Sequence, residues 1–373
     1  MSKIPNGFEV IELFESFSPR KYAVEGDKVG LQIGTLNKQV EVVMTALDVT
    51  DAVVEEAIAM NADLIIAHHP PIFRPLKALR TDQPAGRLLE KCIKNDIAIY
   101  AAHTNLDVAE GGVNDLLARA LNLQNTKVLS PTYEEKLKKL AVYVPAEHAE
   151  AVREAVGGAG AGKIGKYSHC SFSSEGRGTF LPLEGSSPFI GDPGRLERAE
   201  EVKLETVFPA SIEKKVLTAM LKAHPYEEAA YDVYELDQKG LEMGLGRIGS
   251  LEREMTLGEF SDVVKKAFDV DSVRVVGDLH AKVKTCAVLG GDGNKYWMDA
   301  KFSGADVFVT GDIYYHTAHD AMMAGLHMID PGHNIEKVMK QGVTDLLLSL
   351  CEEKKFEVSI VPSVIDTDPF TFM

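Results

Sequence analysis

Short apolar runs that end in aspartate, glycine or histidine alternate with amphipathic stretches through much of this chain, and that alternation narrows the folds open to it. From Glu41, "EVVMTALDV" predicts a strand, "TDAVVEEAIAM" a helix entered at Thr50 or Asp51, "DLIIA" a strand, "AGRLLEKCIKN" a helix and "IAIYAAHTNLD" a strand. The pattern returns near the end: "KTCAVLGG", "DVFVTGD", "LHMIDPGH" and "FEVSIVP" read as strands, and "NKYWMDAKFSG", "YYHTAHDAMMAG" and "NIEKVMKQGVTDLLLSLCEEK" as helices. Repeats of this kind build a largely parallel sheet with helices on both faces. Two α/β blocks are expected, flanking something different.

The middle, about Leu137 to Leu236, has another rhythm. Strands "KLAVYVP", "YSHCSFSSEGRGTFLP", "AEEVKLETVFP" and "AAYDVYEL" interleave with helices "AEHAEAVREAVGGAG" and "SIEKKVLTAMLKAHP". That is a βαββαβ order, the ferredoxin-like arrangement. "LEGSSPFIGDPGRLER", rich in Gly, Pro and Ser, should be an exposed loop between the two long strands. The expected division is an α/β core of residues 1–130 and 241–373, interrupted by an insert of residues 131–240.

At 373 residues the chain is too long for one ordinary core. No stretch approaches ~18 consecutive apolar residues, and "MSKIPNGFEVIELFESF" lacks a signal-peptide core, so a cytoplasmic protein is expected. The four cysteines, Cys92, Cys170, Cys286 and Cys351, form no CxxC pair and predict neither a disulfide framework nor a zinc knuckle. A net charge of −16 argues against phosphate-backbone binding as the main function.

Two glycine runs invite nucleotide or anion readings. "GGAGAGKIG" holds Gly160, Gly162 and Gly165 in a G-x-G-x-x-G, but a helix precedes it, a strand follows, and Ile164 stands where a P-loop needs Ser or Thr. It reads as a connection. In "VLGGDGNKYW" a strand precedes Gly290, Gly291 and Gly293 and a helix follows, so the choice lies between an anion site at a helix start and an ordinary tight turn.

The strand ends carry the chemistry. In "DLIIAHHPPIF", Pro70 and Pro71 forbid an immediate helix, leaving His68 and His69 on a stiff corner from which both rings can turn to one place. "AAHTNLD" supplies His103 and Asp107, "VTGDIYYH" Asp312 and His316, and "DPGHNIEK" His333 and Glu336, three apart at a helix start. Taken singly, each is a cap or surface group. A parallel sheet, however, brings strand C-termini to one edge, where His68, His69, Asp107, His333 and Glu336 converge. Imidazole and carboxylate ligands suit zinc, iron or manganese, and five protein ligands exceed what one open site takes. Two divalent ions sharing a carboxylate are expected, with His68 and His333 on one ion, His69 on the other, and His103 as an acid/base or supporting group.

"AHHPPIF", "AAHTNLD" and "DPGHNIEK", with the early "GDKVGLQIG", resemble the Nif-three-like proteins, often labelled GTP cyclohydrolase type 2 homologues. The resemblance covers about 1 to 130 and 245 to 373; "AGAGKIGKYSHCSF" and "HPYEEAAYDVYEL" are similar to the extra module of the long bacterial form, which resembles the PII and CutA domains. It implies a layered α/β core with a PII/CutA-like insert, a dinuclear site from His68, His69, Asp107, His333 and Glu336, and a ring-shaped homohexamer built from trimers. Many relatives place the last Glu four residues after the His, and many read "DNVGLQ" where this chain has Asp27, Lys28, Val29. A metal-dependent hydrolase of a small nucleotide-like or phosphorylated substrate is expected, the alternatives being a regulatory ring that binds metal or a metabolite, or a metal-trafficking protein.

Overall fold

The apolar runs of the two flanking blocks form two sheets. In the computed structural model, which describes residues 3–371, the first sheet has five strands in the order Gly30–Ile33, Ala98–Ala101, Leu64–Ala67, Val42–Ala46, Ser359–Pro362. All neighbours are parallel except the Gly30–Ile33 edge. The second has six, in the order Arg274–Val276, His327–Asp330, Val307–Gly311, Lys282–Asp292, Glu242–Thr256, Gln124–Glu134. Here the central run from His327–Asp330 to Lys282–Asp292 is parallel, and the Arg274–Val276 and Glu242–Thr256 pairings are antiparallel. The long strands Gln124–Glu134 and Glu242–Thr256 were not among the expected ones, because glycines and charges in "EMGLGRIGSLEREMT" blur the two-residue period.

Alternation along each strand explains the layers. Leu64 and Ile66 join one apolar cluster while Ile65 and Ala67 join another; Val307 and Val309 join the first of these while Phe308 joins a third. The shared cluster also takes residues from helices Gly7–Phe17, Val113–Ala120, Leu257–Phe268 and Val338–Lys354, so these lie between the two sheets. Helices Asp51–Ala59 and Pro84–Lys94 cover the outer face of the first sheet, and Trp297–Phe302 and Tyr315–Met323 that of the second. Strands covered on both faces need continuous apolar runs, which is how they read. Each buried Leu, Ile or Phe contributes about 1.5–3 kcal/mol. Asn6 and Glu9 close a reciprocal capping box at the start of Gly7–Phe17, worth about 1 kcal/mol.

The chain divides into two compact units, one built from the residues up to Tyr133 and from Met243 onward, the other Glu134–Glu242. In the second, strands lie in the order Ser171–Phe180, Glu197–Pro209, Leu137–Pro145, Tyr231–Glu235, every neighbour antiparallel. Helices Ala149–Gly158 and Glu213–Ala223 cover one face, where Leu140, Val142 and Leu204 meet Val152, Val216 and Met220. "GGAGAGKIG" is a turn between helix and strand: Gly160, Gly162 and Gly165 have positive φ, and Gly162 donates to Val207 O. Residues 181–196 contain neither helix nor strand. Among the described residues no helix is long and apolar enough to cross a membrane.

Candidate metal centre

The histidine pair extends the strand before it. His68 N–H donates to Ala46 O at 3.0 Å and His69 N–H to Leu47 O at 2.9 Å, after which Pro70 and Pro71 stop the ladder. The two rings lie 5.0 Å apart, and His103 and His333 close in, 5.3 Å from His68 and 5.2 Å from His69 respectively. His103 and Asp107 come from the turn after Ala98–Ala101, where Asp107 N–H donates to His103 O in the short helix Thr104–Val108. His333 and Glu336 sit in a 3-10 turn, His333–Lys337, rather than an α-helix. Three residues make one turn there, so a spacing of three stacks the two side chains.

Each imidazole is fixed through Nδ1. His68 donates to Ala102 O (2.8 Å), His69 to Asp48 (2.7 Å), His103 to Asp27 (2.8 Å) and His333 to Asp312 (2.6 Å). A partner on one ring nitrogen selects the tautomer and aims the other. The Nε2 atoms of His69 and His333 each lie 3.2 Å from Oε2 of Glu336, while that of His68 lies 3.7 Å from Oε1. Behind the site, Asn114 donates to Asp107 O and accepts from Gly290 N–H, tying the aspartate turn to the glycine strand. The glycines make room: a Cβ on Gly290 or Gly291 would stand 2.9 or 2.8 Å from Oε1 of Glu336. The strand runs on through Asp292 and Gly290 N–H is already bonded, so the glycines admit a carboxylate instead of forming an anion site at a helix start.

The residues fit a cation. His68 and Glu336 are almost wholly buried and Asp107 nearly so, yet Nε2 of His68 and Oδ1 of Asp107, 3.6 Å apart, have no hydrogen-bond partner. Leaving buried polar atoms unpaired costs about 1–3 kcal/mol each, and two donors at this spacing match bonds of about 2 Å to one shared ion. Among the described residues, three overlapping groups have the spacing to hold a metal ion: His68 with Asp107 and Glu336, His69 with His333 and Glu336, and His68 with His69 and His103. His333 therefore groups with His69, not with His68 as the sequence led us to expect.

The buried carboxylates favour positive charge on the imidazoles. Burial would lower the His69 pKa, but Asp48 and Glu336 lift it to about 10; the Glu336 hydrogen bond lifts His333 to about 9. Burial, with the Glu336 charge adding to it, raises Asp107 to about 6 despite His68 nearby. Glu336 stays well below the usual carboxylate range because His68, His333 and His69 outweigh its desolvation.

The five expected ligands and His103 thus meet at one place, and Asp312 joins them behind His333; His316 is exposed on helix Tyr315–Met323 and stays out. Sequence reading missed Asp27, Asp48, Asn114 and the role of Gly290 and Gly291. Asp48 stands two residues past the strand Val42–Ala46 in "TALDVT", so the strand-end rule that found His68 also points to it.

A family model described as Duf34/NIF3 (NGG1p interacting factor 3) matches residues 5–369. The chain belongs to this family. As a NIF3-family chain it is similar to the GTP cyclohydrolase 1 type 2 homolog of Bacillus subtilis (strain 168), 64% identical over 373 residues and covering 100% of both chains. The Listeria innocua protein of the same name is 47% identical over 371 residues, covering 99% of this chain and 100% of the relative. Among solved structures, a Bacillus cereus protein related to NIF3 superposes with a TM-score of 0.96 at 63% identity, covering 100% of each chain. A Staphylococcus aureus protein does so at 0.79 and 34% identity, covering 99% of each.

Proposed function

We propose that the centre holds two divalent metal ions and hydrolyses a small nucleotide-like or phosphorylated substrate. The observation that carries this reading is the division of Glu336, whose Oε1 faces His68 and whose Oε2 faces His69 and His333. One ion would be held by His68, Asp107 and Oε1, the other by His69, His333 and Oε2. Nitrogen and oxygen donors of this kind suit zinc, iron or manganese. Such ions supply a hydrolase with an activated water and a polarised target. The chain holds its own groups ready for that: Ala102 O, Asp48 and Asp312 lock the ligand tautomers, and His103 keeps Nε2 for a proton, with Asp27 behind Nδ1. The name of the Bacillus subtilis relative, GTP cyclohydrolase 1 type 2 homolog, supports a nucleotide-like substrate.

The strand order and two-helix face of the inserted unit support a ferredoxin-like domain of the PII/CutA type. With it we propose a ring-shaped homohexamer.

The test is elemental analysis of gently purified protein, with a screen of nucleotides and phosphoesters with and without chelator. About two ions per chain and chelator-sensitive turnover are expected. Two ions without turnover would replace hydrolysis by a binding role, and one or none would end the dinuclear reading.

A further inference from the structure

The strand Ser359–Pro362 lies parallel to Val42–Ala46, and its line continues past the last paired residue, Ser363 N–H donating to Thr45 O at 2.8 Å. Residues 363–371 contain neither helix nor strand, yet the first of them are well fastened. Glu56, on helix Asp51–Ala59, accepts from Ser363 Oγ and from Val364 N–H, and Lys340 Nζ, on helix Val338–Lys354, donates to Ile365 O at 3.1 Å. Ile365 packs on the apolar cluster of the first sheet's outer face. Held this way, the segment delivers its next two side chains to fixed places.

Those places are the two arms of one donor group. Asp366 accepts from Asn334 Nδ2 at 3.0 Å, and Asn334 is a buried residue of the 3-10 turn, between His333 and Glu336. Thr367 Oγ1 donates to Oδ2 of Asp48, whose Oδ1 accepts from His69 Nδ1 at 2.7 Å. His69, His333 and Glu336 are the three that gather at one candidate ion position. The group of His68 and Asp107 rests on other supports, Ala102 O and Asn114. The last torsion of an aspartate side chain is soft, so a carboxylate engaged at one oxygen still swings. Engaged at both, Asp48 aims the His69 ring in one direction.

We propose that residues 363–367 form a strap that presets His69, His333 and Glu336 for a divalent ion. Thr367 is the positioning residue for His69, acting through Asp48, and Asp366 is that for the turn of His333 and Glu336, acting through Asn334. This rests on the metal centre proposed above.

The test is titration of the metal-free full chain with cobalt(II), read by visible absorption and by elemental analysis at saturation. Thr367→Val keeps the shape and loses the hydroxyl; it should weaken cobalt binding about threefold to tenfold, less than the roughly 10–100-fold usual for a group that touches a ligand directly. Thr367→Ser should restore it. In an Asp48→Ala background Thr367→Val should cost nothing more, because the hydroxyl acts through that carboxylate, whereas Asp366→Ala should weaken cobalt in both backgrounds. Unchanged affinity in Thr367→Val, or the same loss with and without Asp48, overturns the role of Thr367. Unchanged affinity in Asp366→Ala overturns the hold on the turn. No cobalt bound by the unaltered protein overturns the metal centre and the strap together; cobalt bound equally by all variants overturns the strap alone. Melting curves identify a variant that fails to fold, and Thr367→Ala then takes the place of Thr367→Val.

Discussion

Nε2 of His68 and Oδ1 of Asp107 face each other at 3.6 Å, buried and unpartnered, in a cluster whose other imidazole and carboxylate groups are hydrogen-bonded or within reach of Glu336. Two facing ring and carboxylate atoms that make no hydrogen bond add little to the fold, so their loss should cost metal and little else. His68→Ala should lower bound metal by half or more, with far-UV dichroism unchanged. Undiminished metal by elemental analysis would defeat the assignment.

Gly290 tests the centre from behind. Its φ is not positive, so alanine brings no backbone strain, but a Cβ 2.9 Å from Oε1 and 3.0 Å from Cγ of Glu336 and 3.2 Å from Cδ1 of Leu117. Gly290→Ala should weaken metal binding by about 10-fold or more, the usual scale for displaced supporting contacts. Titration of metal-free protein reads it; unchanged affinity would mean that the carboxylate can move away freely.

Metal binding should release protons. With His69 near 10 and His333 near 9 in the metal-free protein, both rings carry a proton at pH 7, and coordination through Nε2 requires its loss. Affinity therefore rises as pH climbs from 7 towards 9, and falls further below about 6, where Asp107 also takes a proton. Calorimetry in buffers of different ionisation enthalpy measures the release. A heat independent of buffer would contradict it.

Asp27→Asn should separate chemistry from metal binding. Asp27 bonds His103 Nδ1 and the backbone and hydroxyl of Thr104, and these bonds hold its carboxyl well below the usual range despite burial. An amide in its place weakens the hold on the His103 tautomer. Turnover of the best substrate from the hydrolysis screen should fall by about 10²-fold, the scale of a lost acid/base group, with metal content kept. Loss of metal in parallel would make His103 a ligand.

The insert leaves and rejoins the core as a hairpin does, Glu135 N–H donating to Leu241 O at 3.0 Å. Joining these two residues through an Asn-Gly turn, which suits the twist of a hairpin, should give a soluble protein that still binds metal. Light scattering should show a smaller assembly than the full chain. An insoluble product would mean that the core needs the insert.

Much of the fold was legible because strands covered on both faces read as unbroken apolar runs: "DLIIA" and "DVFVTGD" could be little else. Glu242–Thr256 was not, since a strand carrying Gly244, Gly246 and Gly249 has no period to read. The residues that meet at the candidate centre were legible for the same reason as the strands, each standing near where an apolar run stops. Their partition was not. Whether His333 turns to His68 or to His69 depends on how two sheets meet, and on a 3-10 turn that the sequence presents as the start of an α-helix. Asn114 lay hidden because it ties the nearby Asp107 O to Gly290 N–H, 176 residues further along the chain from Asn114, and so leaves no local pattern.

Ser359–Pro362 completes the first sheet beside Val42–Ala46, so a strand made early waits for one made late. During synthesis His68, His69 and Asp107 leave the ribosome before the insert, and His333 and Glu336 after it. A half-made chain offers a passing ion only part of its donors. On the proposed reading of the centre, metal capture marks a molecule whose synthesis has passed the insert, and fragments released early should emerge with little hold on metal.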